Sequence, residues 1–260
     1  MTWALKRQIF FLFLFLIFAS FFGFLVIYPY FNRAPSCTDG RKNGDESGVD
    51  CGGSCARACY AEVNDVSVIW SRAFEVVPGR YNALAYLENK NTNTAVEKIR
   101  YRFRFTDKDN VYIGERDGEA SIPPGGKFAI FEPAIEVGNA VPVYTNFQFI
   151  EKPVWLNVSK DKIEQLKVLV SNIKLENEKT RPKLSATVKN NSLFYIPEVT
   201  VVAVLYDASH NAVNISQTYI DLLRGGESKL VNFTWPTPMR SEVVYKEVMP
   251  IYNVFGAKIK

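Results

Sequence analysis

The chain has 260 residues, with 31 Lys or Arg, 27 Asp or Glu and a formal net charge of +4. This length has room for an anchor and two ordinary domains, and the small, interspersed charge argues against nucleic acid as a partner. The single histidine, His210, gives little basis for His-based catalysis. Because no Ser/His/Asp set or nucleotide-binding glycine loop is recognisable either, we expect a protein that is not an enzyme.

An uncharged apolar run, residues 8–31, follows Lys6 and Arg7. About 20 apolar residues suffice to cross a bilayer as a helix, so the run predicts a transmembrane signal-anchor. The two basic residues favour a cytoplasmic N-terminus, which gives a single-pass protein of the cell membrane with extracytoplasmic C-terminal domains. The alternative is a cleaved signal peptide, whose apolar core normally has about 7–15 residues and ends at a small-x-small site.

All four cysteines follow the anchor closely, within the stretch CTDGRKNGDESGVDCGGSCARAC. The stretch has almost no apolar side chains to bury, and four cysteines in an oxidising compartment normally pair. We therefore predict two disulfides, with all three connectivities open. Zinc bound by four thiolates is the alternative, although the spacing does not form two C-x2-C knuckles. The predicted disulfide residues are Cys37, Cys51, Cys55 and Cys59.

The same stretch carries several side chains with hard oxygen ligands. Its glycines permit tight turns that could direct these oxygens at one ion, and calcium is the candidate, although the spacing is not that of an EF-hand loop. Alternatively, Asp and Asn are enriched here because they bond their own backbone in turns. The candidate ligands are Asp39, Asn43, Asp45, Glu46 and Asp50. No other cofactor is expected.

From Cys37 to Cys55 the chain resembles the C-x-D-G-x-x-N-G-x-E-x-G-x-D-C-G-G-x-C segments of secreted and surface-attached proteins. This resemblance implies a location outside the cytoplasm. It implies little about chemistry.

An internal repeat, offset by 100 residues, occupies the remainder of the chain. A match without gaps aligns Asp107 with Asp207 and Gly125-Gly126 with Gly225-Gly226. Residues 100–105 alternate as RYRFRF, which puts the aromatic side chains on one face of a strand. Residues 199–206 share the inward apolar positions, but their opposite face is also apolar, so we expect it to be covered by the first copy, a neighbouring chain or the terminal segment.

Strands separated by turn signals every eight to twelve residues predict antiparallel β-sandwiches of roughly 100 residues. The fold class is therefore mainly β, with an N-terminal transmembrane α-helix followed by two tandem immunoglobulin-like antiparallel β-sandwiches. Residues 160–166 are the one helical candidate beyond the anchor, and residues 173–182 are predicted to form an exposed hairpin or loop. The predicted parts are a cytoplasmic tail (1–7), the anchor helix (8–31), a disulfide-stapled juxtamembrane segment (32–61), a first module (62–157) and a second module (158–260).

The repeated element resembles the FxLYD family of bacterial extracytoplasmic β-sandwich domains. Residues 203–207, AVLYD, retain Leu-Tyr-Asp, and residues 103–107, FRFTD, retain Phe and Asp. Asn190-Asn191-Ser192 lies upstream, where the family tends to place Asn. The resemblance implies a β-sandwich fold and an extracytoplasmic compartment, and it brings no catalytic residues.

Lys98, Arg100, Arg102 and Arg104 form a basic row on the face opposite the aromatic side chains. The second copy lacks this row. Guanidinium groups bind carboxylates and phosphates well, so the row predicts contact with an envelope protein or an anionic polymer. The alternative is a solvated face that discourages edge pairing.

These patterns together predict a non-catalytic, membrane-anchored binding or scaffold protein of the cell envelope. The partners would be the lipid bilayer and an envelope protein or anionic polymer. The alternative is a structural subunit that self-associates or joins a larger membrane or surface assembly through its modules and its anchor helix.

Overall fold

A computed structural model describes residues 2–31 and 34–259. The N-terminal helix α1 is Trp3–Phe31 and begins before the predicted start at residue 8. An 18-residue window within Trp3–Pro29 has a mean hydropathy of 2.9 and is unburied, so the helix is long and apolar enough to cross a membrane, as an anchor or as a signal sequence. The predicted boundaries at residues 1, 32 and 260 lie outside the described residues.

The first module is a sandwich of two antiparallel sheets. One sheet has the order β1-β2-β5 and the other β4-β3-β6, with the short strand β7 paired to the start of β3. The strands are β1 (Ser67–Val77), β2 (Arg80–Asn89), β3 (Thr94–Thr106), β4 (Tyr112–Ile122), β5 (Gly126–Glu136), β6 (Tyr144–Phe149) and β7 (Leu156–Asn157).

The second module repeats this plan after a short helix, α2 (Lys160–Gln165), which confirms the helical candidate and is capped by the Ser159 side chain. Its sheets have the orders β12-β9-β8 and β11-β10-β13, and β14 pairs with the start of β10. The strands are β8 (Val168–Glu176), β9 (Lys183–Asn190), β10 (Phe194–Tyr206), β11 (Ala212–Leu223), β12 (Ser228–Thr234), β13 (Tyr245–Ile251) and β14 (Lys258–Ile259). Of residues 173–182, predicted to form an exposed hairpin or loop, 173–176 are the end of β8 and 177–182 connect β8 to β9.

In the central strands of each module, every second side chain points into the core. In β3 the alternate residues Tyr101, Phe103 and Phe105 are buried between the two sheets of the first module. In β10 the equivalent Val201, Ala203 and Leu205 are fully buried in the second. The predicted mainly β fold, two β-sandwiches behind an apolar helix, is confirmed.

The repeat has a different register from the gapless match. In β3 and β10 the offset is 100, since Asp107 and Asp207 each accept hydrogen bonds from the backbone N–H groups two and four residues later. Before these strands the offset is 101, because the buried Asn89 amide donates to Thr94 O at 3.0 Å while that of Asn190 donates to Phe194 O at 2.6 Å. The turn between the two strands is therefore one residue longer in the first module, and the gapless alignment is wrong there.

A third apolar core joins the two modules. The outer face of the β1-β2-β5 sheet packs on the outer face of the β11-β10-β13 sheet through Leu84, Ala129, Val202, Val204 and Met249, among others. Of the three candidates for covering the apolar second face of β10, the first module is the one that covers it.

The modules lie side by side and point the same way. We call the end where β3 and β10 begin the base, and the end where they finish the tip. Arg240 Nη2 lies 2.5 Å from Glu75 Oε2, both near the tips, whereas Asn253 Nδ2 donates to Glu97 O at 3.4 Å near the bases. Because contacts at matching heights join the two modules, the two tips share one end of the two-module unit and the two bases share the other.

Candidate binding surfaces

The basic row lies on the outer face of β3, where a second row of acidic side chains neutralises it. Lys98 Nζ is 2.7 Å from Glu119 Oε2 on β4, and Arg100 Nε is 3.0 Å from Glu151 Oε2. The Arg100 backbone N–H also donates to Glu151, at 2.8 Å. These pairs are exposed, so each one stabilises the fold only slightly.

Arg102 is the centre of this charged ladder. Its Nε and Nη2 donate to the two carboxylate oxygens of Asp117 at 2.6 and 2.8 Å, and its Nη1 lies 3.1 Å from Glu115. Glu115 is shared with Arg104 at 3.3 Å. The hydrogen bond from Arg102 lowers the pKa of Asp117, against the opposing effect of desolvation. An anionic partner would therefore have to displace carboxylates, and binding to such a partner stays a prediction.

The internal repeat gives a physical reason why only one copy carries this row. Arg102 and Arg104 occupy the places that Val202 and Val204 hold in β10, and those two valines are buried against the first module. Within residues 34–259 no module packs on the equivalent face of the first module, and this face is charged. The acidic half of the ladder was missed by sequence reasoning, although the alternation of Glu115, Asp117 and Glu119 along β4 was visible.

The cysteine segment (residues 37–59) is stapled by two disulfides and attached to the first module. The pairs are Cys37–Cys55 and Cys51–Cys59, so no cysteine thiol is free for zinc. The segment runs along β7: the Ala58 N–H donates to Trp155 O at 3.0 Å and the Asn157 N–H donates to Ala56 O at 2.7 Å. Ala58 also joins the apolar core of that module. The segment is thus an added edge of the sandwich.

The candidate calcium ligands mostly bond the turns of their own segment. Both carboxylate oxygens of Asp50 accept from the Gly40 N–H at 3.0 Å, and Asp45 accepts from the Ser54 N–H and hydroxyl at 3.0 and 2.8 Å. Glu46, which is buried, accepts from the N–H groups of Asn43 and Asp50 at 3.3 Å. Asp39 accepts from the Asn43 side chain at 2.8 Å, and this bond lowers its pKa.

Within residues 34–59 the carboxylates do not converge. The one set of three potential ligand atoms within 4.8 Å of one another consists of Glu46 with Cys37 and Cys55, and both of these cysteines are in a disulfide. The arrangement is therefore that of turn-capping carboxylates. Calcium binding stays a prediction.

A half-buried polar cluster that sequence reasoning missed crosses the boundary between the modules. The hydroxyls of Tyr86, on β2, and Tyr206, on β10, donate to the two carboxylate oxygens of Glu247 at 2.9 and 2.8 Å. Burial raises the pKa of both tyrosines, and the hydrogen bonds to Glu247 raise it further. Tyr206 belongs to the Leu-Tyr-Asp stretch that carries the family resemblance, so this residue of the motif joins the modules. Nothing in the local sequence around Glu247 indicates this contact.

A cleft of about 630 Å³ opens between the modules on the base side of this cluster. Side chains from both modules line it with carboxylate, amide and ammonium groups: Glu97, Lys98, Glu119, Glu198, Gln217 and Asn253. Lys98 therefore belongs both to the basic row and to the cleft. This lining suits a polar ligand that both donates and accepts hydrogen bonds.

Glu132 gives the first module a measurable pH dependence. Burial raises the pKa of Glu132, against the opposing effects of the Tyr101 hydroxyl, which donates to it at 2.9 Å, and of the Arg116 charge. A carboxyl with a raised pKa stabilises the fold most below its unfolded pKa of about 4.3, and that contribution is lost as the pH rises through its folded pKa.

We therefore expect Glu132→Gln to gain stability relative to the natural chain as the pH rises from 4 to 8. Urea unfolding midpoints across this range measure the difference. Glu136→Gln, which removes an exposed partner of Arg80, is the control, and its difference from the natural chain should not follow this trend. If the urea midpoints of the natural chain and of Glu132→Gln changed with pH in the same way, the raised pKa of Glu132 would be contradicted.

Comparisons with known proteins give no family. No family model and no curated protein matches the sequence. Among the solved structures that match is a transglutaminase from red sea bream, with 10% identity, a TM-score of 0.25, and coverage of 74% of this chain and 31% of that chain. This chain thus spans about a third of that transglutaminase, and a similarity this low supports no conclusion about fold or activity.

Proposed function

We propose that the chain is a non-catalytic scaffold or binding protein of the cell envelope. Helix α1 anchors it in the membrane with the N-terminus in the cytoplasm, and the two modules lie outside. The basic residues before the apolar run, the disulfides and the resemblance to FxLYD domains all support this orientation.

Rigidity is the observation that carries the scaffold role. Backbone hydrogen bonds fix the cysteine segment to β7, and an apolar core fixes the second module to the first. A chain built this way holds the cysteine segment and its two modules at constant positions relative to one another. The surfaces available to a partner are the charged ladder and the polar cleft, and Lys98 belongs to both.

The test is affinity purification of the full chain from its native membrane after crosslinking in intact cells. The variant Arg100→Ser, Arg102→Ser, Arg104→Ser removes three positive charges from the ladder. The matched control Lys174→Ser, Lys179→Ser, Lys183→Ser removes three from the exposed β8–β9 hairpin. We expect a stoichiometric partner whose recovery falls severalfold with the ladder variant and is unchanged with the control. Because both variants have the same net charge, such a difference would come from the position of the charges.

Equal recovery of the partner by both variants would exclude the ladder as the binding surface. Recovery of copies of this chain alone would favour the structural-subunit alternative. Recovery of the ectodomain in the soluble fraction, without α1, would show that the helix is a cleaved signal sequence and would contradict the anchor.

A further inference from the structure

Two exposed apolar side chains at the base of the second module lie outside all three apolar cores. Leu193, in the turn before β10, is 82% exposed, and Ile259, on β14, is 61% exposed. Beside them lies a groove of about 590 Å³ lined by Leu193, Tyr195, Leu222, Arg224 and Gly225. Phe194, the residue after Leu193, pairs with Ile259, so the two exposed side chains belong to the same end of the module. Exposed apolar side chains concentrated in one region are typical of a contact surface.

Close packing and hydrogen bonds fix the conformation of the turn that contains Leu193. A Cβ atom at residue 225 would come within 2.9 Å of Ser192 O and 3.0 Å of the Leu193 carbonyl atoms, so glycine at this position lets the two turns pack closely. The amide of the buried Asn190 accepts from the Ser192 N–H and hydroxyl at 3.1 and 2.6 Å and so fixes the same turn. Leu193 is therefore held outward by a rigid turn.

The two modules differ at the outer edge of their last short strand, which is covered in the first module and uncovered in the second. There, Leu156 and Asn157 of β7 are half-buried, because the cysteine segment runs along that strand. The equivalent residues of β14, Lys258 and Ile259, are exposed, and among residues 34–259 no segment pairs with the outer edge of β14. The base of the second module is thus uncovered where that of the first is covered.

The orientation of the modules identifies what lies opposite this surface. The cysteine segment reaches the base of the first module, where the Asn64 N–H also donates to Asn91 Oδ1 in the turn before β3. Only residues 32–36 separate helix α1 from Cys37, a span of at most about 20 Å when fully extended. Because the two bases share one end of the ectodomain, the exposed group faces the side on which the anchor enters.

The charges around the group suit a lipid headgroup region. Lys258 precedes Ile259 and Arg224 lines the groove beside Leu193. Glu227 accepts from the Arg224 N–H at 2.7 Å, and its other carboxylate oxygen lies 4.0 Å from Arg224 Nη1. Basic side chains can lay their aliphatic stems along apolar surface and keep the charged ends among phosphates. An apolar patch with a basic border is the pattern of a surface that lies in the membrane interface.

We propose that the base of the second module rests on the bilayer that holds α1, with Leu193 and Ile259 in the interface and Arg224 and Lys258 at lipid phosphates. This inference rests on the proposed role of α1 as an anchor. It adds a second membrane contact, which fixes the tilt of the ectodomain over the membrane.

The test uses the full chain in nanodiscs of phosphatidylcholine with phosphatidylglycerol, with one spin label attached to an introduced cysteine. All four natural cysteines are in disulfides, so the added thiol is the one that reacts under non-reducing conditions. Leu193→Cys reports on the base. Leu230→Cys, on the outer face of β12 and 67% exposed, is the matched control. Collisions with oxygen report lipid, and collisions with a water-soluble nickel complex report solvent.

We expect the label at residue 193 to lose most of its nickel accessibility relative to the label at 230, and to gain oxygen accessibility. The charge reversal Arg224→Glu, Lys258→Glu should bring that nickel accessibility back towards the value at 230. Equal nickel accessibility at the two sites would overturn the proposal. Spin–spin broadening at residue 193 would overturn it as well, because it would show that a second copy covers the surface.

A label at Phe18, within α1, separates the two proposals. If the label at residue 18 collides mainly with oxygen, as in lipid, while the label at 193 collides mainly with the nickel complex, as in solvent, only the second membrane contact is refuted. If the labels at both sites collide mainly with the nickel complex, the anchor is refuted as well.

Discussion

Val204→Glu is expected to separate the two modules. Val204 is fully buried in the inter-module core and lies opposite Glu247 in the β10–β13 pairing. The variant therefore buries a second carboxylate beside one that already uses both tyrosine hydroxyls. Burying an unpaired charge is among the few changes that cost about 4 kcal/mol or more. We expect urea unfolding to begin at clearly lower concentration and to divide into two transitions, one for each module.

The internal repeat supplies the control for this experiment. Arg104→Glu makes the same new side chain at the equivalent position of the first module, where the outer face is exposed. Surface changes usually alter stability by about 0.5 kcal/mol, so one transition should remain near its original midpoint. If Val204→Glu and Arg104→Glu behaved alike, the apolar contact between the modules would not exist in solution.

Replacing all four cysteines with serine is expected to release the cysteine segment from the first module. The segment has almost no apolar side chains, so the disulfides and its hydrogen bonds supply its order. Loss of disulfides that close loops of this size typically costs about 2–5 kcal/mol. Because the apolar cores of the modules lie elsewhere, the sheets should remain folded. Hydrogen exchange should become fast at the Ala58 and Asn157 amides, whose bonds join the segment to β7.

Amides of β10, between β11 and β13, are the internal control, and their protection should not change. A cysteine-free chain with natural protection at Ala58 would show that the backbone bonds to β7 hold the segment without the disulfides. Loss of protection throughout the first module would show that the segment is part of its folding core.

The strands were predictable because each sandwich strand encodes one buried face locally. The alternation in residues 100–105 gives the inward positions of β3 directly, and the Asp at the start of the tip turn ends the strand in both copies. The apolar second face of residues 199–206 also indicated that β10 is covered. Its cover could not be identified from pattern alone, because any apolar surface would satisfy the same residues.

The surfaces between elements were harder to predict. The basic row has the pattern of an anion-binding face when β3 is read alone, but its carboxylate partners lie on β4 and after β6, and strand pairing brings them together. The Tyr86–Glu247–Tyr206 cluster joins residues 161 positions apart in one of its bonds, so no local pattern could reveal it. The single-residue difference in the turn before β3 and β10 escaped the gapless alignment, since apolar positions still matched on either side of it.

The parallel arrangement of the modules determines where a label can be attached. Strand β14 ends at the base, next to the turn that holds Leu193, so a fluorescent protein inserted after Ile259 would lie at the end that we propose faces the membrane and would obstruct the exposed surface around Leu193. The turns after Asp107 and Asp207 are exposed at the opposite end and carry no core residue. In the orientation proposed above, an epitope inserted there would lie away from the membrane and be accessible to an antibody on intact cells.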